Sequence, residues 1–218
     1  MSLSICNSNI DKIFFSKLNK ILIYGEAAVG KTNLLLNIIK CSVDKLASNE
    51  VIYFISTEGS TFLEKFRKLK LINEKVLVSI AIDQLHLITM LIDIIREINK
   101  RYPLCIIIDS INSHYRVESS TTEGMIFFTE ILTLLDSLSN SGSYVISSAQ
   151  VRSINGKQEV PGQEYLQHWA DVVAYISRDH PFYRVFKFYK PPIDKVYYFD
   201  IKFDGVRWIT MGLHSIER

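Results

Sequence analysis

Five short runs rich in Ile, Val, Tyr and Phe punctuate the first two thirds of the chain: Lys20 to Tyr24, Val51 to Ile55, Val76 to Ile80, Leu104 to Ile108 and Tyr144 to Ser147. Each has the length and composition of a strand and is bounded by charged or turn residues. Helical periodicity lies between them. Leu85, Ile88, Leu91, Ile92, Ile95 and Ile98 recur over Gln84 to Lys100, and Met125, Phe128, Ile131, Leu132, Leu135 and Leu138 over Thr122 to Asn140, so both stripes read as core. Such alternation is satisfied by a mostly parallel sheet whose crossover helices cover both faces. From Asp171 onward the texture changes to Val172 to Ile176, Tyr183 to Tyr189, Val196 to Phe203 and Val206 to Thr210, with turns at Lys190 to Asp194 and at Asp204-Gly205. These are antiparallel signals. The expected fold class is α/β: a mostly parallel central sheet flanked by helices, with a C-terminal antiparallel strand extension.

A chain of 218 residues, 48% of them hydrophobic, suits one α/β domain over residues 1 to 218 better than two small ones, with 1 to 19 as a short lead-in and no separate DNA-binding domain. Its net charge of +2 is too small to mark a nucleic-acid binder through bulk electrostatics, so any such contact must be local. Cys6, Cys41 and Cys105 are odd in number, widely spaced and free of CxxC spacing, which argues against a disulfide framework and a zinc site and for a reducing compartment. No run approaches the ~20 apolar residues of a membrane span, and the first residues lack a signal-peptide pattern. A cytoplasmic protein with no membrane partner is expected.

Directly after the first run comes Gly25-Glu26-Ala27-Ala28-Val29-Gly30-Lys31-Thr32, followed by the apolar helical segment opening Asn33-Leu34-Leu35-Leu36. GxxxxGKT between a strand and a helix is the pattern of a phosphate-binding loop. Glycines let the backbone wrap a polyphosphate so that successive N–H groups and the positive end of the helix face the anion. Residues 25 to 33 are therefore the candidate nucleotide contacts, with Lys31 on the β- and γ-phosphates and Thr32 placing its hydroxyl on Mg2+. The cofactors expected are ATP and Mg2+.

Three further residues sit at strand ends. Asp109 closes Leu104 to Ile108, where a carboxylate can hold the metal ion, although an Asp there also serves as a helix cap or turn former. Ser110 follows it where many ATPases carry their water-activating Glu, so the base must come from elsewhere. Glu58, just beyond the second run in Tyr53-Phe54-Ile55-Ser56-Thr57-Glu58, can orient a water for attack on the γ-phosphate, or merely favour a helix starting near Ser60. Gln150 ends Ile146-Ser147-Ser148-Ala149-Gln150 and can bond the γ-phosphate and signal to the loop after it, or simply satisfy loop backbone.

Taken in order, GEAAVGKT, YFISTEGSTF, LCIIIDSI and ISSAQV resemble the ATPase core of the RecA/RadA recombinase superfamily, most closely the short archaeal RadA paralogues of RadB type. The likeness continues through Pro161-Gly162-Gln163-Glu164-Tyr165-Leu166-Gln167-His168-Trp169-Ala170-Asp171 and spans residues 20 to 210. It implies a RecA-like P-loop fold, Glu58 as the catalytic carboxylate and Gln150 as the γ-phosphate sensor, with Lys31 in the catalytic set. It also implies two DNA-facing loops, Asn112 to Gly124 and Arg152 to Gln163, in which Arg116, Arg152 and Lys157 would contact phosphates; Arg116 has Glu118 and Glu123 as alternative partners.

The chain also departs from the family pattern. No Phe-x-x-Ala subunit-linking segment occurs in residues 1 to 19, and Gln163 replaces the second Gly of a Gly pair, where glycine would permit positive φ. The reading is a slow ATPase acting as a RadA paralogue in homologous recombination and DNA repair, with weak single-stranded DNA binding and the main RadA-type recombinase or another paralogue as partner. Its rivals are a KaiC-like signalling or motility-regulating ATPase that switches a protein partner, and a nucleotide-binding scaffold without turnover.

Overall fold

The computed structural model describes residues 3–16, 19–119, 121–154 and 157–210, with the side chains of 152–154, 157 and 158 outside that description. In chain order the elements are α1 (Ser8–Phe14), β1 (Lys20–Gly25), α2 (Lys31–Ser42), β2 (Glu50–Ser56), α3 (Phe62–Lys68), β3 (Val76–Ile80), α4 (Gln84–Glu97), β4 (Tyr102–Asp109), α5 (Tyr115–Glu118) and α6 (Thr122–Asn140). There follow β5 (Tyr144–Gln150), β6 (Arg152–Ile154), β7 (Lys157–Glu159), α7 (Gln163–Trp169), β8 (Val172–Ser177), β9 (Arg184–Lys190), β10 (Ile193–Lys202) and β11 (Gly205–Ile209). The main sheet runs β11-β10-β9-β8-β1-β5-β4-β2-β3. β3, β2, β4, β5, β1 and β8 are mutually parallel, and β8 to β11 continue antiparallel. The expected α/β class with its C-terminal antiparallel group is the architecture observed.

One apolar cluster fills each face of the sheet. Phe14, Leu35, Ile39, Phe54, Phe186 and Phe199 belong to the cluster under α1 and α2, while Leu91, Ile106, Phe128, Leu135 and Leu166 belong to that under α4, α6 and α7. β4 is buried along nearly its whole length because both of its faces carry helices, which is why it reads as a continuous apolar run. α4 and α6 begin at side-chain caps, Asp83 bonding the His86 N–H and Thr121 the Gly124 N–H. No side chain caps α2, whose preceding residue Gly30 has φ 110°.

Several expectations need correction. Leu85 is 58% exposed and Met125 42%, so each stripe loses its first position, while Ile88 and Leu91 of the one and Phe128, Ile131, Leu132, Leu135 and Leu138 of the other are buried as expected. In α4 the buried set is Gln84, Leu87, Ile88, Leu91 and Ile94, with Ile92 and Ile95 partly buried at its edge, because the Asp83 cap and the contact with α6 rotate the helix so that Gln84 and Leu87 face inward. The segment 151–163 is not one long loop: β6 and β7 pair as a short antiparallel ribbon, and α7 starts at Gln163. The left-handed conformation there belongs to Gly162, at φ 76°, so Gln163 meets no such demand. The lead-in contains α1, whose Phe14 and neighbouring Phe15 are fully buried.

The cysteine reading is overturned as well. Cys6 and Cys41 form a disulfide with Cα atoms 5.8 Å apart, a separation at which such bridges form. The chain start folds back along α2, where Ser42 Oγ accepts from the Ser4 N–H at 2.9 Å and Asn37 Nδ2 donates to the Ile5 carbonyl at 3.2 Å. Spacing in sequence said nothing of that return, and the argument for a reducing compartment loses its premise. Cys105 is a buried free thiol. Among the described residues no helix is long and apolar enough to cross a membrane.

Candidate functional site

Gly25, Glu58, Asp109 and Gln150 all lie at or just beyond the carboxyl ends of neighbouring parallel strands, the edge where open α/β sheets take their ligands. Gly25 is wedged between β5 and β8; a Cβ there would lie 2.3 Å from the Ile176 carbonyl oxygen. The loop then turns through Glu26 and Ala27 to Ala28, at φ 61°, and reaches Gly30. Val29 is buried in the core, and its carbonyl accepts from Arg184 Nε at 3.2 Å, which braces the loop from outside. Asn33 lines the same cavity as Lys31 and Thr32. That cavity holds about 170 Å³, below the roughly 300–1,000 Å³ that encloses a whole small molecule. It suits the anionic end of a ligand.

Lys31 is 6% exposed and curls back over its loop, its ammonium donating to the carbonyls of Gly25 at 2.9 Å and Glu26 at 2.7 Å. Burial pushes its pKa below the ordinary lysine value, opposed by the nearby carboxylates of Asp109 and Glu58. Thr32 Oγ1 donates to Asp109 Oδ2 at 2.6 Å, and Ser148 Oγ to Asp109 Oδ1 at 2.5 Å. Burial raises the pKa of Asp109 against the effect of those two hydrogen bonds. A buried carboxylate held only by hydroxyls beside a lysine is primed for a cation or a further donor.

Glu58 lies outside α3 and does not cap it. Its Oε1 accepts from Ser110 Oγ at 2.7 Å and from Gln150 Nε2 at 2.6 Å. Gln150 Oε1 in turn accepts from Arg116 Nη1 at 2.6 Å. Arg116 thus pairs with Gln150, and Glu118 instead accepts from Gln84 Nε2 at 2.5 Å. Lys31, Thr32, Glu58, Asp109 and Gln150 are brought together around one cavity. Arg152 and Lys157 lie on β6 and β7, and their side chains are outside the described residues. The Lys190 ammonium is used internally, donating to the carbonyls of Gln167 and Ala170.

Sequence reasoning missed Ser148, Asn112 and Lys65. Ser147-Ser148 in an otherwise apolar buried strand was the available signal, since buried hydroxyls need partners. Asn112, fully buried, exchanges bonds with the main chain of Gln150 on both sides, N–H to Oδ1 at 3.0 Å and Nδ2 to the carbonyl at 3.1 Å. Lys65, on α3, adds a second cation to the cavity lining. A larger hollow of about 410 Å³ lies beside Tyr115, Gly162 and Tyr165. Compared with known proteins, the chain matches no family model and no curated protein.

Proposed function

We propose that the chain binds Mg-ATP through residues 25–33 and hydrolyses it slowly, as a RecA-type ATPase acting as a RadA paralogue in homologous recombination and DNA repair. One observation carries the nucleotide reading: the Thr32 hydroxyl and the buried Asp109 carboxylate face each other at 2.6 Å at the uncapped start of α2, with the Lys31 ammonium alongside. Adjacent oxygens around octahedral Mg2+, with bonds of about 2.1 Å, lie roughly 3 Å apart, so this pair of hard donors fits the ion. Among the described residues no group of three His, Cys, Asp or Glu could hold a metal on protein ligands alone. That suits Mg2+, which keeps waters and takes phosphate oxygens. Thr32 and Asp109 would hold it, and its charge would neutralise that of the phosphates.

On this reading Lys31 exchanges its loop carbonyls for phosphate oxygens, and the open N–H groups of α2 and its positive end attract the same anion. Glu58 orients water for in-line attack, held by Ser110 and Gln150. Gln150 senses the γ-phosphate at the start of the 151–163 segment. The ordered resemblance of the strand-end motifs supports the recombination assignment. The KaiC-like reading, a switch acting on a protein partner, has one observation in its favour: Arg116 is already engaged by Gln150 and is not turned out toward a phosphate backbone.

ATP turnover of the wild-type chain and of Glu58→Gln, each with and without single-stranded DNA, tests the proposal. Wild type should turn over, faster with DNA, and Glu58→Gln should be at least about tenfold slower at unchanged ATP affinity. Turnover that ignores DNA while a protein partner alters it would favour the switch, and unaltered turnover in Glu58→Gln would place the base elsewhere.

A further inference from the structure

The turn Asn112–Arg116 grips Gln150 twice. Asn112 clamps the main chain of Gln150 as described, and its Nδ2 also reaches the Pro161 carbonyl at 3.4 Å, so one buried amide ties together both ends of the segment containing β6 and β7. One helical turn later, with the Arg116 N–H bonded to the Asn112 carbonyl at 3.0 Å, the Arg116 guanidinium takes the side chain of the same glutamine. A guanidinium only donates. The amide oxygen of Gln150 must therefore face Arg116, which turns its NH2 toward Glu58, where Nε2 and Oε1 lie 2.6 Å apart. The reverse orientation would set amide oxygen against carboxylate. The polarity of the Gln150 amide is thus set from both sides, by the donor Arg116 on its oxygen and the acceptor Glu58 on its NH2.

We propose that Arg116 is a positioning residue for hydrolysis: it orients the Gln150 amide so that its NH2 holds Glu58 where water must be activated. Arg116 does not line the cavity around Lys31 and Asp109 and acts through Gln150, which makes the 112–116 turn the route by which an event on that surface reaches the catalytic carboxylate. The inference rests on the reading that Glu58 orients the attacking water.

A double-mutant cycle on ATP turnover decides it. Arg116→Ala should lower kcat by roughly 10- to 100-fold, the scale of an ångström-sized misplacement, with KM for ATP within about twofold of wild type because no phosphate contact is lost. Arg116→Lys, still a donor to the amide oxygen, should recover part of the loss. In a Gln150→Ala background the Arg116→Ala loss should vanish, since its target is gone. Should Arg116→Ala fail to fold, Arg116→Met, which keeps the stem without a donor, takes its place. Losses that simply multiply, or an unchanged kcat accompanied by a fall of about 0.7 in the salt slope of single-stranded DNA binding, would overturn the inference and make Arg116 a phosphate contact. A folded wild-type chain with no ATP turnover would overturn this inference together with the reading beneath it, whereas an active wild type with an unaffected Arg116→Ala overturns the inference alone.

Discussion

Asp109 and Lys31 are opposite charges that burial drives toward neutrality from both sides. The carboxyl's pKa is raised and the ammonium's lowered, so neither charge is fully repaid by its surroundings in the ligand-free chain. For Asp109 the folded-state pKa stands above the unfolded one. Its contribution to stability is present below the ordinary carboxylate pKa and is lost as pH rises through the raised folded value. Asp109→Asn should therefore raise the Tm of the nucleotide-free protein at pH 8, with a smaller gain at pH 4. The same variant should lose most of the Tm increase given by Mg-ATP. Thermal denaturation at the two pH values, with and without Mg-ATP, checks both. Lys31→Ala should fold, because the side chain donates only to two carbonyls of its own loop, and should weaken ATP binding about tenfold or more in a calorimetric titration. Equal affinity would remove residues 25–33 from the nucleotide site.

At the scale of elements, the site is the junction of β1 and α2. Gly25 must lie flat between two strands, and Gly30 must turn left-handed into the helix. The two glycines answer different demands. A methyl on Gly25 meets backbone, the Ile176 carbonyl oxygen, which cannot move without parting β1 from β8. A methyl on Gly30 meets the tip of the Ile201 side chain. Gly25→Ala should thus cost about 1–3 kcal/mol in urea denaturation through overpacking against backbone. An undiminished midpoint would show that β8 yields at this point.

Over the whole molecule, the segment around Cys6 is fastened to the far end of α2. Cys6 bonds Cys41, Trp208 Nε1 donates to the Ile5 carbonyl at 2.9 Å, and Phe14 packs on Phe186 and Phe188 of β9. Residues 5–15 thereby join α2 to the antiparallel strand group. The bridge closes a loop of 35 residues' separation, so its reduction, or Cys6→Ser, should lower stability by about 2–4 kcal/mol. Cys41 sits ten residues along α2 from Lys31, about 15 Å at helical rise. ATP affinity should accordingly stay within about twofold. Chemical denaturation and nucleotide titration with and without reductant measure both, and a large loss of affinity would show that the clasp sets the shape of the loop.

Local chemistry determined much of this in advance. Alternating strand and helix periods fixed the α/β class, since each period buries one face only against its own kind of neighbour. GEAAVGKT, with its glycines, lysine and threonine, placed the loop between β1 and α2, and strand ends marked Glu58, Asp109 and Gln150 as residues sharing one edge. The rest depended on how separate elements dock. Strand order, the rotation that turned Leu85 outward and Gln84 inward, the Cys6–Cys41 pairing and the Arg116–Gln150–Glu58 chain all join residues dozens of positions apart. A pattern read along the chain constrains which face a residue presents, but not which distant group meets it there. That choice is made by packing, when two helices and a sheet must fill the same space.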